Sequence, residues 1–181
     1  MKHIIFIILF LSPIFSFSQA KCDMVLYPKG SNPEDTVEAV RIKKISYRGI
    51  NNYVTVTLQD DSQVKYPKNE IWGYKASDCK IYRYGSKRDA FYLVKRHKKD
   101  IIIYSYERGG GYIASTTRDY AFGKNLTGTM YYLNTKNIKE QYGDNECMMQ
   151  LLDELKWHQH PSNYNKKNKK YKIEEIIEAC Q

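Results

Sequence analysis

In YVTVTL, residues 53–58, Val54, Val56 and Leu58 fall on one side of an extended chain while Tyr53, Thr55 and Thr57 fall on the other. This period of two, sustained along most of the chain, constrains the fold more than any other feature. QDDSQ turns this segment into VKY at 64–66. VEAVRIKKISY (37–47) precedes it as a longer β-branched run. EIWGY, CKIYRY, AFYLVKR and DIIIYSY follow, separated by ASD, GSKRD and HKKD, and RDYAFGKNL closes the series after the glycine run Gly109 to Gly111. Short alternating segments with polar turns between them predict a mostly β, α+β fold. We expect an antiparallel meander of about eight strands, curled into a barrel-like or sandwich sheet.

After residue 134 the period lengthens. Asn134 or Thr135 can cap TKNIKEQY, which Gly143 would end, and Asp144 can cap NECMMQLLDELKW. Cys147, Leu151 and Leu155 lie at i, i+4 and i+8 beside Met148 and Leu152. In YKIEEIIEAC the stripe is Ile173, Ile176, Ile177 and Cys180, with Glu174, Glu175 and Glu178 outside it. Two or three short C-terminal helices (134–181) are therefore expected. Between the last two, WHQHPSNYNKKNKK is polar and lysine-rich and reads as a mobile loop.

The first eighteen residues, MKHIIFIILFLSPIFSFS, combine Lys2, an apolar run from Ile4 to Leu11 and small residues at Ser16 and Ser18. That is the pattern of a secretory signal peptide, and Pro13 interrupts a run already shorter than the roughly 20 residues of a membrane span. Cleavage after Ser18 would leave residues 19–181 as one β-rich domain, periplasmic or secreted, with no transmembrane segment. Lys21 before Cys22 is a poor match to a lipid-anchoring signal.

All four cysteines, Cys22, Cys79, Cys147 and Cys180, lie beyond that leader. An even count in an exported chain points to two disulfides, with buried free thiols as the alternative. Four cysteines allow three pairings. The favoured one joins Cys147 to Cys180, since each apolar helix stripe carries one of them, and leaves Cys22 and Cys79 to tie the mature N-terminus to the sheet.

Seventeen tyrosines mark the chain. Tyr82 and Tyr84, and Tyr104 and Tyr106, share strand faces at i, i+2; Tyr92 can join them, with Trp72 nearby. These six residues are the candidate ligand platform, for a sugar, peptide or cell-wall fragment. The competing reading is cross-strand packing with the hydroxyls at the rim, which the abundance of tyrosine in strands favours.

A formal charge of +9, one less without the leader, suits an anionic envelope polymer or lipid phosphate, or a protein partner. It equally suits a solvated, soluble face. Aromatics interleaved with lysines also occur in single-strand nucleic-acid binders, and export argues against that partner.

His158 and His160 form an HxH pair without further ligands at a recognisable spacing, so neither a metal nor a cofactor is expected. His97 stands alone in KRHKKD. No HExxH, GxSxG, GxxxxGK or GxGxxG occurs. Asp60 and Asp61 read as a hairpin tip rather than a catalytic pair. Asn125-Leu126-Thr127 fits an N-glycosylation sequon, and Asp35-Thr36-Val37 looks like an O-glycosylation motif of Bacteroidota.

The segment YAFGKNLTGTMYYLNTKNIKEQYGDNECMMQLLDEL (120–155) resembles a family of uncharacterised secreted proteins from Bacteroidota. The resemblance rests on Phe122, Leu126, Leu133, Asn137, Ile138, Lys139, Tyr142, Leu151 and Leu152. Upstream, Ile71-Trp72-Gly73-Tyr74 and Tyr82-Arg83-Tyr84 look like the same family's segments. Gly123 stands where serine is usual and Asn134 where threonine is. The resemblance implies export and this fold, and supplies no catalytic residue. The expectation is therefore a non-enzymatic binding or structural protein of the cell envelope, with an envelope hydrolase as the alternative. A deep site gathering His97, a carboxylate and a hydroxyl would favour the hydrolase.

Overall fold

A computed structural model of the chain describes residues 21–34, 38–48, 51–107 and 118–181. The expected leader, the Asp35-Thr36-Val37 motif and the glycine run Gly109 to Gly111 lie outside the described residues. Chain order begins with β1 (Val25–Pro28), β2 (Val40–Tyr47), β3 (Tyr53–Leu58) and β4 (Gln63–Pro67). It continues through β5 (Ile71–Lys75), β6 (Ile81–Gly85), β7 (Ala90–His97), β8 (Ile102–Glu107), β9 (Arg118–Gly123) and β10 (Tyr131–Tyr132). These ten strands form one antiparallel sheet in the order β10-β9-β8-β7-β6-β5-β1-β2-β3-β4. The architecture is sandwich-like and does not close into a barrel.

Two strands exceed the eight expected. VLYP, which forms β1, is too short to show a period, yet it occupies the centre of the sheet. It pairs with β2 on one side and β5 on the other, so the simple meander is split there. Tyr131 and Tyr132 add only two residues against Phe122 and Ala121.

Hairpin chemistry follows the sequence where turns are short. At the β3–β4 tip, Asp60 accepts from the Ser62 amide at 3.0 Å, and Asp61 takes a left-handed conformation with φ 69°.

Three packed regions fill the structure. Val25, Tyr27, Trp72, Tyr92, Ile102 and Tyr104 belong to the first face of the sheet. On the second face Leu26, Tyr74 and Phe91 meet Ile42, Val54 and Val56, because β2 and β3 curl over; the Tyr47 ring reaches Phe91 at 4.8 Å. Farther along that second face, Ile101, Ile103 and Phe122 receive the helices. The continuous IIIY run of β8 is thus explained: both of its faces are buried, so alternation disappears.

The helices are α1 (Thr135–Tyr142) and α2 (Glu146–Asp153), followed by the small hairpin β11 (Tyr164–Asn165) and β12 (Lys170–Tyr171), then α3 (Lys172–Ala179). Asn134 caps α1 by accepting from the Asn137 amide at 2.8 Å. Asn145, not Asp144, caps α2 by accepting from the Met148 amide at 3.0 Å, because the helix starts one residue later than expected. It also stops at Asp153, before the end of the apolar spacing.

The lysine-rich segment expected to be a mobile loop is instead this folded hairpin. Asn165 closes its turn by accepting from Lys167 and Asn168, and Arg96 of β7 donates to the Lys169 carbonyl at 2.6 Å. Glu174 also departs from the helical pattern and is only 1% exposed. Its carboxylate accepts from the Tyr171 amide at 2.8 Å, capping α3 from inside, and Lys98 lies 3.5 Å from its other oxygen.

Disulfides join Cys22 to Cys79 and Cys147 to Cys180. The first ties residue 22 to the β5–β6 turn, where the Cys22 amide also donates to the Ser77 carbonyl at 3.0 Å. The second staples α2 to the end of α3. Two disulfides are consistent with an oxidising, exported environment. Among the described residues no helix is long and apolar enough to cross a membrane.

Candidate functional site

Alternation along β6 sends Tyr82 and Tyr84 to the second face and Arg83 between them to the first. Arg83 is directly opposite Gly73 on one side and Tyr92 on the other. Gly73 leaves the guanidinium's side of β5 open; a Cβ there would collide with the Tyr82 carbonyl oxygen. A register shift beside it, between Tyr27 and Pro28, turns Trp72 onto the same face as Tyr27, whose ring it meets edge-on at 5.9 Å.

Arg83 is 8% exposed. Its Nη1 donates to the Tyr104 hydroxyl at 2.8 Å and its Nη2 to the Gly128 carbonyl, while the cation lies over the Trp72 and Tyr104 rings at 5.7 and 5.4 Å. Gly128 belongs to the 124–130 loop, which folds back over the sheet. The Trp72 indole fastens the same loop by donating to the Leu126 carbonyl at 2.7 Å. Among the described residues no carboxylate contacts Arg83. A guanidinium withdrawn from water with only neutral acceptors is costly unless an anion completes it.

Arg83 forms one wall of a cavity of about 250 Å³, with Tyr92, Met130 and Tyr132 around it and Lys87 at the rim. Gly85, also in the lining, lets Met130 and Tyr92 pack directly on the strand, since a Cβ on it would stand 2.7 Å from Met130 Cε and 2.8 Å from the Tyr92 ring. Lys87 and Arg88, from the turn between β6 and β7, lie 5.6 and 5.7 Å from the Tyr132 ring centre. Arg88 is paired with Asp119 at 3.3 Å; among the described residues Lys87 has no acidic partner. Burial, followed by the neighbouring Tyr132 and Asp119, pushes the Tyr92 hydroxyl up to about 12, so it is a neutral hydrogen-bonding group at physiological pH. Tyr104 is also raised by burial, against the opposing pull of Arg83.

Of the six residues expected to form a platform, the structure brings four to the first face and separates two. Trp72, Tyr92 and Tyr104 pack in its core, with Tyr106 half-buried beside Tyr92 at a ring distance of 5.5 Å. Tyr82 stacks on Tyr74 at 4.9 Å on the second face, and Tyr84 lies against Phe91 there while its hydroxyl donates to Asp89 at 2.8 Å. The six therefore form no single exposed platform. Of the six, Tyr92 and Tyr84 are in the lining of the cavity.

Sequence reasoning missed Arg83, Lys87, Met130 and Tyr132. A basic residue occupying an inward position between two tyrosines was the available signal for Arg83. Tyr132 had none, because only the return of the loop brings it near.

His97 does meet a carboxylate: its Nδ1 lies 3.3 Å from Glu34, in a cleft of about 170 Å³ that Thr127 also lines. Both His97 and Glu34 are largely exposed, and the Thr127 hydroxyl donates to Asn125 at 3.4 Å. The HxH pair is open to solvent, with the His160 ring nitrogen 2.7 Å from the Ser162 hydroxyl. A second basic and aromatic cleft, of about 340 Å³, lies between Arg96, Arg118 and Tyr171. There Arg96 already has the Lys169 carbonyl and, at 3.9 Å, Glu174.

Comparison of the chain with protein-family models, with curated proteins and with solved structures gives no match.

Proposed function

We propose that this chain is an exported, non-enzymatic binding protein of the bacterial cell envelope, one of the Bacteroidota secreted proteins it resembles. It would hold its ligand in the Arg83 cavity. The observation that carries the reading is a buried guanidinium with no carboxylate partner among the described residues, set in the wall of a tyrosine-lined space. A cation of that kind is a recognition group rather than a structural economy, because well-packed apolar residues would stabilise the same position more. Tyr92 is held neutral there by its burial.

Hydrolase chemistry, if present, would use His97 and Glu34, the one histidine–carboxylate contact among the described residues. Their exposure to solvent weighs against it, since a catalytic base and its orienting acid work best where water is excluded.

The test is to titrate the mature, disulfide-bonded protein with solubilised peptidoglycan fragments, acidic polysaccharide oligomers and anionic phospholipid vesicles, while following each for chemical change. Saturable binding to one of them without turnover is expected. Turnover lost on His97→Ala, or no saturable binding by any of the three, overturns the reading.

A further inference from the structure

The character of the cavity narrows the ligand further, on the premise that this cavity is the binding site. At about 250 Å³ it is smaller than the roughly 300–1,000 Å³ of sites that enclose a drug-sized molecule. It therefore takes one small unit or the end of a longer chain.

Its walls differ in chemistry. Arg83 carries five N–H donors in a planar fork, of which two are spent on Tyr104 and Gly128 among the described residues. The remaining donors suit the paired oxygens of a carboxylate, and Lys87 at the rim adds attraction at longer range. Facing them are aromatic rings, Tyr92 and Tyr132, and the Met130 side chain. Ser86 and Thr129 are also in the lining.

A purely apolar ligand would strip water from Arg83 without replacing it. A free inorganic anion would satisfy Arg83 and leave the rings without contact. A pyranose ring matches both requirements, with C–H faces that pack on tyrosine and hydroxyls that exchange hydrogen bonds with neutral phenols. A carboxylate on that ring supplies the charge.

We infer that the Arg83 cavity binds an acidic sugar, a uronic-acid unit of an envelope or environmental polysaccharide, with its carboxylate on Arg83 and its ring between Tyr92 and Tyr132.

The experiment is calorimetric titration of the full disulfide-bonded protein with trigalacturonate and with its neutral counterpart galactotriose, alongside N-acetyl-dialanine as a peptide carboxylate. Trigalacturonate should bind at least tenfold more tightly than galactotriose, and Arg83→Gln should abolish that difference. Because Arg83 also packs in the core, Tyr132→Ala serves as a second variant from the half-exposed rim; it should weaken trigalacturonate at least fivefold while leaving the thermal midpoint within a few degrees. Equal affinity for the charged and neutral sugars overturns the acidic-sugar assignment and leaves the binding function standing, as does tighter binding of the peptide carboxylate. Failure of the broader function is read separately, as turnover or as no saturable binding by envelope fragments, oligomers or vesicles.

Discussion

Arg83 in β6 donates to the hydroxyl of Tyr104 in β8 across the intervening strand β7, at 2.8 Å, and neither group has an acidic partner among the described residues. The bond holds the guanidinium flat against the sheet, with Trp72 and Gly128 completing its surroundings. Tyr104→Phe removes the acceptor and keeps the ring. One buried donor is then unsatisfied, so we expect a loss of about 1–3 kcal/mol in urea unfolding together with weaker ligand binding. Unchanged stability and affinity would mean that the hydroxyl neither satisfies nor positions Arg83.

Lys68 is buried between β4 and β5 and reaches Asp89 at 2.7 Å and the Arg48 carbonyl at 3.2 Å. Asp89 in turn accepts from Tyr84 and takes a left-handed backbone conformation with φ 48°, so one carboxylate fixes the turn that carries Lys87 and Arg88. Asp89→Ala leaves a buried ammonium without its counter-charge. Removal of one partner from a fully buried pair costs roughly 3–5 kcal/mol. Asp89 is 39% exposed and Lys68 keeps a carbonyl, so about 2 kcal/mol is expected, read as a lower denaturant midpoint with an unchanged slope.

The Cys147–Cys180 bridge spans 33 residues and joins α2 to α3. Loop-closure entropy for that length corresponds to about 3–4 kcal/mol of stabilisation. A Cys147→Ser/Cys180→Ser variant should lose about 2–4 kcal/mol and show faster amide exchange first in α2 and α3, while β5 to β8 stay protected. Uniform loss of protection across sheet and helices would show instead that the two regions unfold as one unit.

Alkaline pH should unfold the protein through its tyrosines. Burial raises Tyr84, Tyr92 and Tyr142 to about 12, and Tyr74 and Tyr171 still further. For a phenol the raised value means that the folded state retains a proton the unfolded chain releases near pH 10. That stabilisation is complete below pH 10 and is lost as pH climbs through 12. Phenolate absorbance should therefore show an early reversible class of tyrosines and a late class that ionises together with loss of near-ultraviolet dichroism. A single reversible step near 10 for all seventeen would contradict the buried hydroxyls.

Strands β2 to β9 could be recognised from alternation and turn chemistry, and α1 and α3 from apolar spacing and caps, because those signals arise within a few residues of one another. The Cys147–Cys180 pairing was legible from the two helix stripes that carry these residues, and Cys22–Cys79 followed as the remaining pair. Glu174 was misplaced because its burial depends on the Tyr171 amide and on Lys98 of the distant β7–β8 turn. The lysine-rich hairpin went unread because a partner from β7, Arg96, holds it in place.

Local sequence decided that β2 to β9 extend and that α1 and α3 coil, since backbone sterics and side-chain periodicity act over neighbouring residues. Only the assembled sheet decided what their side chains would meet. The placement of β1 between β2 and β5, the return of the 124–130 loop and the curl of the sheet are set by contacts between residues far apart in the chain. Those contacts bring Arg83, Tyr92, Lys87 and Tyr132 around one cavity.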